Sequence, residues 1–352
     1  MRILVTETWD HYWYGQVWVD RLGELGYEAL GFVEGGYFRH ASAWRGSLRK
    51  AQCKYRFGPA LLRLNLDLLA RISQYRPDCV LFVRGDLILP GTLRRIHRWG
   101  IVTLGYNNDD PFSPRQAWYA WRLARRGMRE YDHCFVYRQS NVKEYSRAGC
   151  KSASLLRSFY IKEHNYPILP CGERKTDCDV AFAGHWEDDG RDGCVQKLLE
   201  SGVSVKLAGP FWSRARNYSW LRKRLGDISP VLGPAYNAML NNCKIALVFL
   251  SKINNDSYTR RCFEIPAAET FMLSEFSQDL CSLFNPGSEA DYFVSPEDLA
   301  AKVKFYLKHD GLRSEIAAAG RRRLLRDGHE ALDRARVVVS VAQEHVARRR
   351  ER

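Results

Sequence analysis

Residues 1–33, MRILVTETWDHYWYGQVWVDRLGELGYEALGFV, decide the fold class. RILVT (2–6) is a short apolar run with β-branched residues, 15–26 has helical character, and EALGFV (28–33) is a second strand. Two strands joined through a helix lie parallel, because a parallel connection needs a crossover of about a dozen residues or more. The alternation continues with strands CVLFVR (79–84), IVTLGY (101–106) and HCFVYR (133–138), and helices over 59–75, 90–99 and 114–130. A second series follows: DVAFAG (179–184), SVKLAG (204–209), KIALVF (244–249) and FMLSEF (271–276). Its helices are expected over 192–201, 234–242, 296–308 and 311–325, with another opening near Phe263. Between the series, YPILPCGERKTD (166–177) has the prolines, glycine and charges of a linker. The expected architecture is α/β, with two tandem Rossmann-like doubly wound domains over 1–170 and 176–328. A helix with a basic tail, 329–352, is expected to pack back on the first domain.

Composition narrows the function. The chain has 352 residues, 45% of them apolar, enough for two cores. No run reaches the ~18 apolar residues of a membrane span, and MRILVTETWD lacks the pattern of a signal peptide. A cytoplasmic protein is the expectation. None of the 10 cysteines forms a C-x-x-C pair or a zinc spacing with histidine, so no metal site is expected. The formal charge is +14, and residues 1–172 carry +11 of it, which suggests an anionic partner. Segment 39–56 has six Lys/Arg and no acid. At helical spacing, 114–130 would place Arg115, Arg122, Arg126 and Arg129 near one face beside Trp118 and Trp121. Basic and aromatic residues together suit an anionic membrane surface, hence a peripheral placement, or an anionic acceptor; a solvated face is the plainer alternative.

Ligands of open α/β sheets bind outside the carboxyl ends of the strands. The richest strand-end segment is NNDSYTRRCFEIPAAETFMLSE (254–275). Ser257, Thr259, Arg260 and Arg261 precede a helix, and hydroxyls, guanidinium groups and helix N-terminal amides all favour phosphate. Glu264 lies in the first turn of that helix, where a carboxylate is favoured and can accept ribose hydroxyls. A charge-rich solvated loop is the alternative.

RCFEIPAAETFMLSE, with LFNPGSEADYFVSPEDLAAKVKFYLKHDGLRSEIAAAGRRRL (283–324), resembles the CgeB-like (spore maturation protein type) glycosyltransferases of the GT-B group. VAFAGHWEDDGR, VKLAGPFW and NNDDPF extend the resemblance. It implies two Rossmann-like domains facing a central cleft, with a nucleotide-sugar donor on the second domain. The acceptor, a saccharide, lipid-linked or protein molecule, would lie on the first. By this match Glu264 holds the donor ribose, and Arg261 and Thr259 hold the diphosphate. Related retaining enzymes space an acid and a Glu by seven residues; Asp256 and Glu264 have that spacing, with Asp in the first place. Gly184 and His185 end one strand, and Arg191 is a candidate to neutralise charge. Gly209 ends another strand, after which Phe211 or Trp212 is placed for stacking on a base or sugar, inter-domain packing being the alternative, and Gly233 and Tyr236 lie in the next loop for reading the base. Asp10 and His11, or Asp109 and Asp110, are candidate proton acceptors if the reaction inverts; if it retains, the leaving phosphate takes the proton and Gly15 is a candidate backbone donor. No cofactor is expected, the nucleotide-sugar being a co-substrate. The rival class is a nucleic-acid- or anionic-surface-binding protein without catalysis, for which no recognised motif speaks. A dinucleotide oxidoreductase is a weaker rival, since no G-x-G-x-x-G follows the first strand.

Overall fold

A computed structural model describes the chain except residues 8–11, 13–14, 39–42, 169–175 and 352; at 43–46, 49 and 53 only the backbone is described. The chain divides into two compact units, Met1–Arg157 with Ala331–Arg352, and Ser158–Glu330.

Unit 1 contains β1 (Arg2–Glu7), α1 (Gln16–Glu24), β2 (Glu28–Val33), α2 (Ala43–Tyr55), α3 (Pro59–Tyr75), β3 (Cys79–Val83), α4 (Pro90–Arg98), β4 (Val102–Asn107), α5 (Arg122–Gly127), β5 (His133–Val136), α6 (Gln139–Arg147) and β6 (Ala153–Leu155). Its sheet order is β2-β1-β3-β4-β5-β6, all parallel. Every residue of β3 is buried, as expected of a strand covered on both faces. The apolar spacing of α3 explains its position. Pro59 starts it, Leu61, Leu64, Leu68 and Ile72 bury one stripe, and Arg76 ends it in the left-handed conformation. Each of those side chains contributes about 1.5–3 kcal/mol by burial.

Unit 2 contains β7 (Cys178–Ala183), α7 (Arg191–Glu200), β8 (Val205–Ala208), α8 (Tyr218–Leu225), α9 (Gly233–Asn241), β9 (Cys243–Val248), α10 (Arg261–Ala267), β10 (Phe271–Glu275), α11 (Gln278–Leu283), β11 (Asp291–Phe293), α12 (Pro296–Leu307) and α13 (Asp310–Arg326). The order is β11-β10-β9-β7-β8, again parallel. Numbered from its own first strand, each unit runs 2-1-3-4-5, and unit 1 adds a sixth strand. The order reverses between β1 and β3 and between β7 and β9, so the crevices lie outside those strand ends. Below them in unit 2, Phe182, Leu207, Trp212, Ile245, Leu247 and Phe249 belong to one buried cluster.

Three expectations are corrected. Residues 114–130 are not one helix: successive turns lead to α5 at Arg122, and a 3-10 turn, Met128–Glu130, follows. Pro114 interrupts the start of that run, and the amide hydrogens of Gln116 and Ala120 bond three residues back. The chain leaves unit 1 at Arg157, not at residue 170. Side-chain oxygens of Asn237 and Asn241 accept the amide hydrogens of Tyr166 and Ile168, fastening this stretch to α9. Finally, α2, α6 and α8 are helices that the apolar pattern did not announce, because their sequences are mostly polar.

The helix α14 (Ala331–Arg350) belongs to unit 1 and packs against α1 and β4. Its Arg349 donates to both carboxylate oxygens of Asp132 at 2.7 Å and to the Ile101 carbonyl. Asp132 also accepts from the Thr103 amide and hydroxyl, so one partly buried carboxylate joins α14 to the sheet. Arg349→Met should destabilise unit 1 by about 1.5–3 kcal/mol, the range for hydrogen bonds to a charged group, measured by urea unfolding. An unchanged unfolding midpoint would exclude this tie as a source of stability.

Candidate functional site

The crevice at the β7/β9 reversal is lined by three consecutive loops. After β7, GHWEDDG (184–190) folds onto Arg191. The Arg191 guanidinium is buried and donates to both oxygens of Asp189, at 2.8 and 2.6 Å, and to the His185 carbonyl at 2.7 Å. The side chain expected to neutralise a phosphate is therefore a brace of its own loop. Asp188, beside it, is exposed.

Glu187, which the sequence did not single out, is the buried acid of this loop. Its Oε1 accepts from Nε2 of His185 at 2.6 Å, and its Oε2 accepts the amide of Lys252 at 3.0 Å, across the crevice from β7 to the loop after β9. Burial alone would raise its pKa, but hydrogen bonds from His185 and Ser251 and the charge of Arg191 outweigh it and hold the carboxyl at about 2. Glu275, at the end of β10, acts similarly: it accepts the Leu250 amide at 2.8 Å and the Lys252 ammonium at 2.6 Å.

Gly184 and Gly209 owe their size to packing. A Cβ on Gly209 (φ +145°) would lie 1.9 Å from the Gly184 carbonyl oxygen, and one on Gly184 would meet the Phe182 ring at 2.5 Å. That carbonyl accepts the indole N–H of Trp212 at 2.9 Å. Trp212 is thus a core residue, whereas its neighbour Phe211 is 52% exposed, in the left-handed region at φ 69°, with the Arg214 guanidinium 4.6 Å from its ring centre. Of the two aromatics expected to stack on a ligand, only Phe211 is presented to one.

The segment 254–275 turns into α10 at Arg261. Its first amides are already used: Cys262 donates to Thr259, and Phe263 and Glu264 to Arg260. These three helix-terminal donors are therefore engaged within the chain, because the entry is a tight turn. The side chains add further chemistry. Arg261 is held by its Nε on the Ala183 carbonyl at the end of β7. Among the described residues, neither terminal NH₂ group of Arg261 has a partner, and no nitrogen or oxygen partners the buried Thr259 hydroxyl. Arg260 pairs with Glu264 at 2.9 Å and lies 4.6 Å over the Phe159 ring. Glu264 also accepts from the Tyr236 hydroxyl at 3.0 Å. Burial, then the Glu264 charge, raises the Tyr236 pKa well above its ordinary value, so the phenol remains a donor. Tyr236 therefore enters as a side chain that orients Glu264. Gly233, at φ +57°, turns the chain into the same helix. Asp256 is half-buried, its amide bonded to the Ser251 carbonyl, and Ser257 donates to Asp279 at 2.7 Å.

In unit 1 the β1/β3 crevice falls partly outside the described residues, and Asp10 and His11 lie there. Gly15 is packed against Glu7: a Cβ would lie 2.0 Å from its carboxyl carbon. Asp110 is buried and accepts from the Phe112 amide at 2.9 Å and the Asn141 side chain at 3.0 Å. Asp109 pairs with Arg84 at 2.8 Å. Both carboxylates hold the strand-end loops in shape. Arg84 itself, at φ 75°, stacks over Trp121 and faces the buried Asp86, to which Arg56 also donates at 2.6 Å. Arg84 and Asp86 were not foreseen; R-G-D directly after a strand was their signal.

Residues 191–340 match the family described as glycosyl transferase-like. No curated protein matches the chain. Among solved structures, sucrose-phosphate synthase from Thermosynechococcus elongatus is 12% identical, with 99% of each chain covered and a TM-score of 0.70. Anabaena HepE, in complex with UDP and glucose, is 11% identical, covering 98% of this chain and 100% of its own, at 0.69. A glycosyltransferase from Rickettsia africae is 13% identical over 98% of each chain, at 0.66. The fold is GT-B. In this GT-B chain the glycosyl transferase-like segment includes α7, the 254–275 loop and helix, and the start of α14.

Glu187 makes the GT-B site acid-sensitive in a defined direction. Its pKa is depressed on folding, so its stabilisation is present above the unfolded value near 4.5 and is lost as pH falls toward 2. Glu187→Gln should remove on the order of 3 kcal/mol at neutral pH and flatten the pH dependence of unfolding between about 4.5 and 2. A variant with the wild-type acid profile would show that another carboxylate controls it.

Proposed function

We propose that the protein is a glycosyltransferase of the CgeB-like kind. It moves a sugar from a nucleoside-diphosphate-sugar to a hydroxyl of a saccharide, lipid-linked or protein acceptor, in the cytoplasm and without a divalent metal. The observation that carries this is Arg261, anchored by Nε to the end of β7 with neither NH₂ group partnered among the described residues, inside the glycosyl transferase-like segment; the buried Thr259 hydroxyl, two residues away, meets no nitrogen or oxygen there and has only the Cys262 sulfur as partner. A planar fork of donors suits two phosphate oxygens.

In the reaction the bond from the anomeric carbon to the diphosphate oxygen breaks, and its electron pair leaves with the nucleoside diphosphate. The acceptor oxygen bonds to the same carbon. Arg261, with Arg260 and Thr259, stabilises the charge that develops on the leaving group, which is the role otherwise given to a metal ion. Glu264 receives the ribose hydroxyls: its carboxylate has about four acceptor positions, and Tyr236 and Arg260 occupy part of them while fixing its orientation. Phe211 offers a face to the base. The Asp256–Glu264 spacing supports a retaining course, in which the departing diphosphate takes the acceptor proton.

A thermal-shift panel of UDP, GDP, dTDP, CMP and their sugars tests donor binding. The matching nucleotide at ~100 times its dissociation constant should stabilise the protein by about 2.7 kcal/mol. Glu264→Ala should weaken that nucleotide by about 1.5–3 kcal/mol, while circular dichroism stays native. Wild-type affinity in a folded variant would remove Glu264 from the site. Turnover should persist in EDTA; activity abolished by EDTA and restored by Mg²⁺ or Mn²⁺ would overturn the metal-free mechanism.

A further inference from the structure

The consecutive helices α2 and α3 of unit 1 present apolar side chains to solvent without covering them. Leu62 and Leu66, one turn apart on α3, are 56% and 65% exposed, although the same helix buries a complete stripe of its own. Leu48 and Tyr55, two turns apart on α2, and Phe57 at the joint are exposed as well. Trp118, 70% exposed, is joined to α2: its ring meets Tyr119 at 5.7 Å, Tyr119 meets Tyr55 at 4.9 Å, and the Lys54 ammonium lies over both tyrosines. Arg122 fastens the same stretch by donating to the carbonyls of Tyr55 and Arg56. Scattered single exposed leucines are ordinary, but this many large exposed side chains on consecutive elements, one set of them joined through Tyr55, Tyr119 and Trp118, mark a contact surface.

Charge selects the partner. Residues 35–66 contain seven Lys/Arg and no acid, and 113–129 contain five Arg and no acid. Lys50 and Lys54 lie exposed one turn apart on α2, and Arg63 stands between the two leucines of α3. Asp67, the first acid after this stretch, is engaged by Tyr37 and Arg63. A basic face carrying leucine, tryptophan and tyrosine matches the chemistry of the headgroup–acyl boundary of an anionic bilayer. Cations there meet lipid phosphate, and apolar side chains enter the hydrocarbon edge. We propose that α2 and α3, with Trp118, form a docking surface for anionic membrane.

Flotation of the full chain with phosphatidylcholine vesicles, with and without phosphatidylglycerol, tests this. Binding should require phosphatidylglycerol and weaken strongly at about 0.5 M salt, where the Debye length falls to a few ångströms. Leu62→Asp with Leu66→Asp should reduce binding at least about tenfold, as should Lys50→Gln with Lys54→Gln. All four positions are exposed, so the unfolding midpoint and nucleotide-induced stabilisation should stay at wild type. A failed membrane test would therefore leave the glycosyl-transfer reading standing. No binding to phosphatidylglycerol vesicles, or wild-type binding by the leucine variant, overturns the proposal. So does a leucine-dependent dimer seen by light scattering, which would make a second copy the occupant.

Discussion

A parallel strand that ends inside a covered sheet leaves its last amides and carbonyls without a neighbouring strand, and something else must satisfy them. In unit 2 side chains do this. Arg261 takes the Ala183 carbonyl, Trp212 takes the Gly184 carbonyl, and Arg191 takes the His185 carbonyl. Glu187 and Glu275 accept the amides of Lys252 and Leu250. The loops of the crevice have their shape because these charged and polar groups complete the ends of β7 and β9. The price is that most of the charge in the crevice is already engaged, which is why the terminal donors of Arg261, unpartnered among the described residues, stand out.

The same constraint separates roles that look alike in composition. Arg191 and Arg261 both begin helices after strand-end loops, yet Arg191 is buried on its own Asp189, while Arg261 spends only one nitrogen on the backbone. Asp110 is an acceptor for a turn amide and Asp109 is an ion-pair partner. In each case the deciding quantity is how many hydrogen-bonding positions the fold has consumed.

Unit 1 shows the complementary behaviour at its surface. Its sheet and α3 stripe are well buried, and much of its basic character lies on α2, α3 and the segment 113–129, where Arg56 and Arg63 pair with Asp86 and Asp67. Where the arginines are used internally, as Arg349 is on Asp132 or Arg56 on Asp86, they join elements far apart in sequence.

Most strands, most helices and the location of the 254–275 loop were legible in the sequence, because parallel strands buried on both faces write continuous apolar runs and amphipathic helices write a 3.6-residue period; β6 and β11, three residues each, are too short to write either. The order of the strands in each sheet follows from the crossovers and fits one doubly wound pattern. What tertiary structure alone decided is which polar residues are engaged. Glu187 carries no local signature, since its role is defined by a backbone amide that reaches it from another loop. The helix expected over 114–130 failed for a related reason: aromatic and arginine spacing cannot reveal that Trp121 is buried under Arg84 while Trp118 faces solvent. Periodicity records a residue's relation to its neighbours along the chain. Burial and hydrogen-bond partnership are relations across the fold, and they exist only once the strand ends have been brought together.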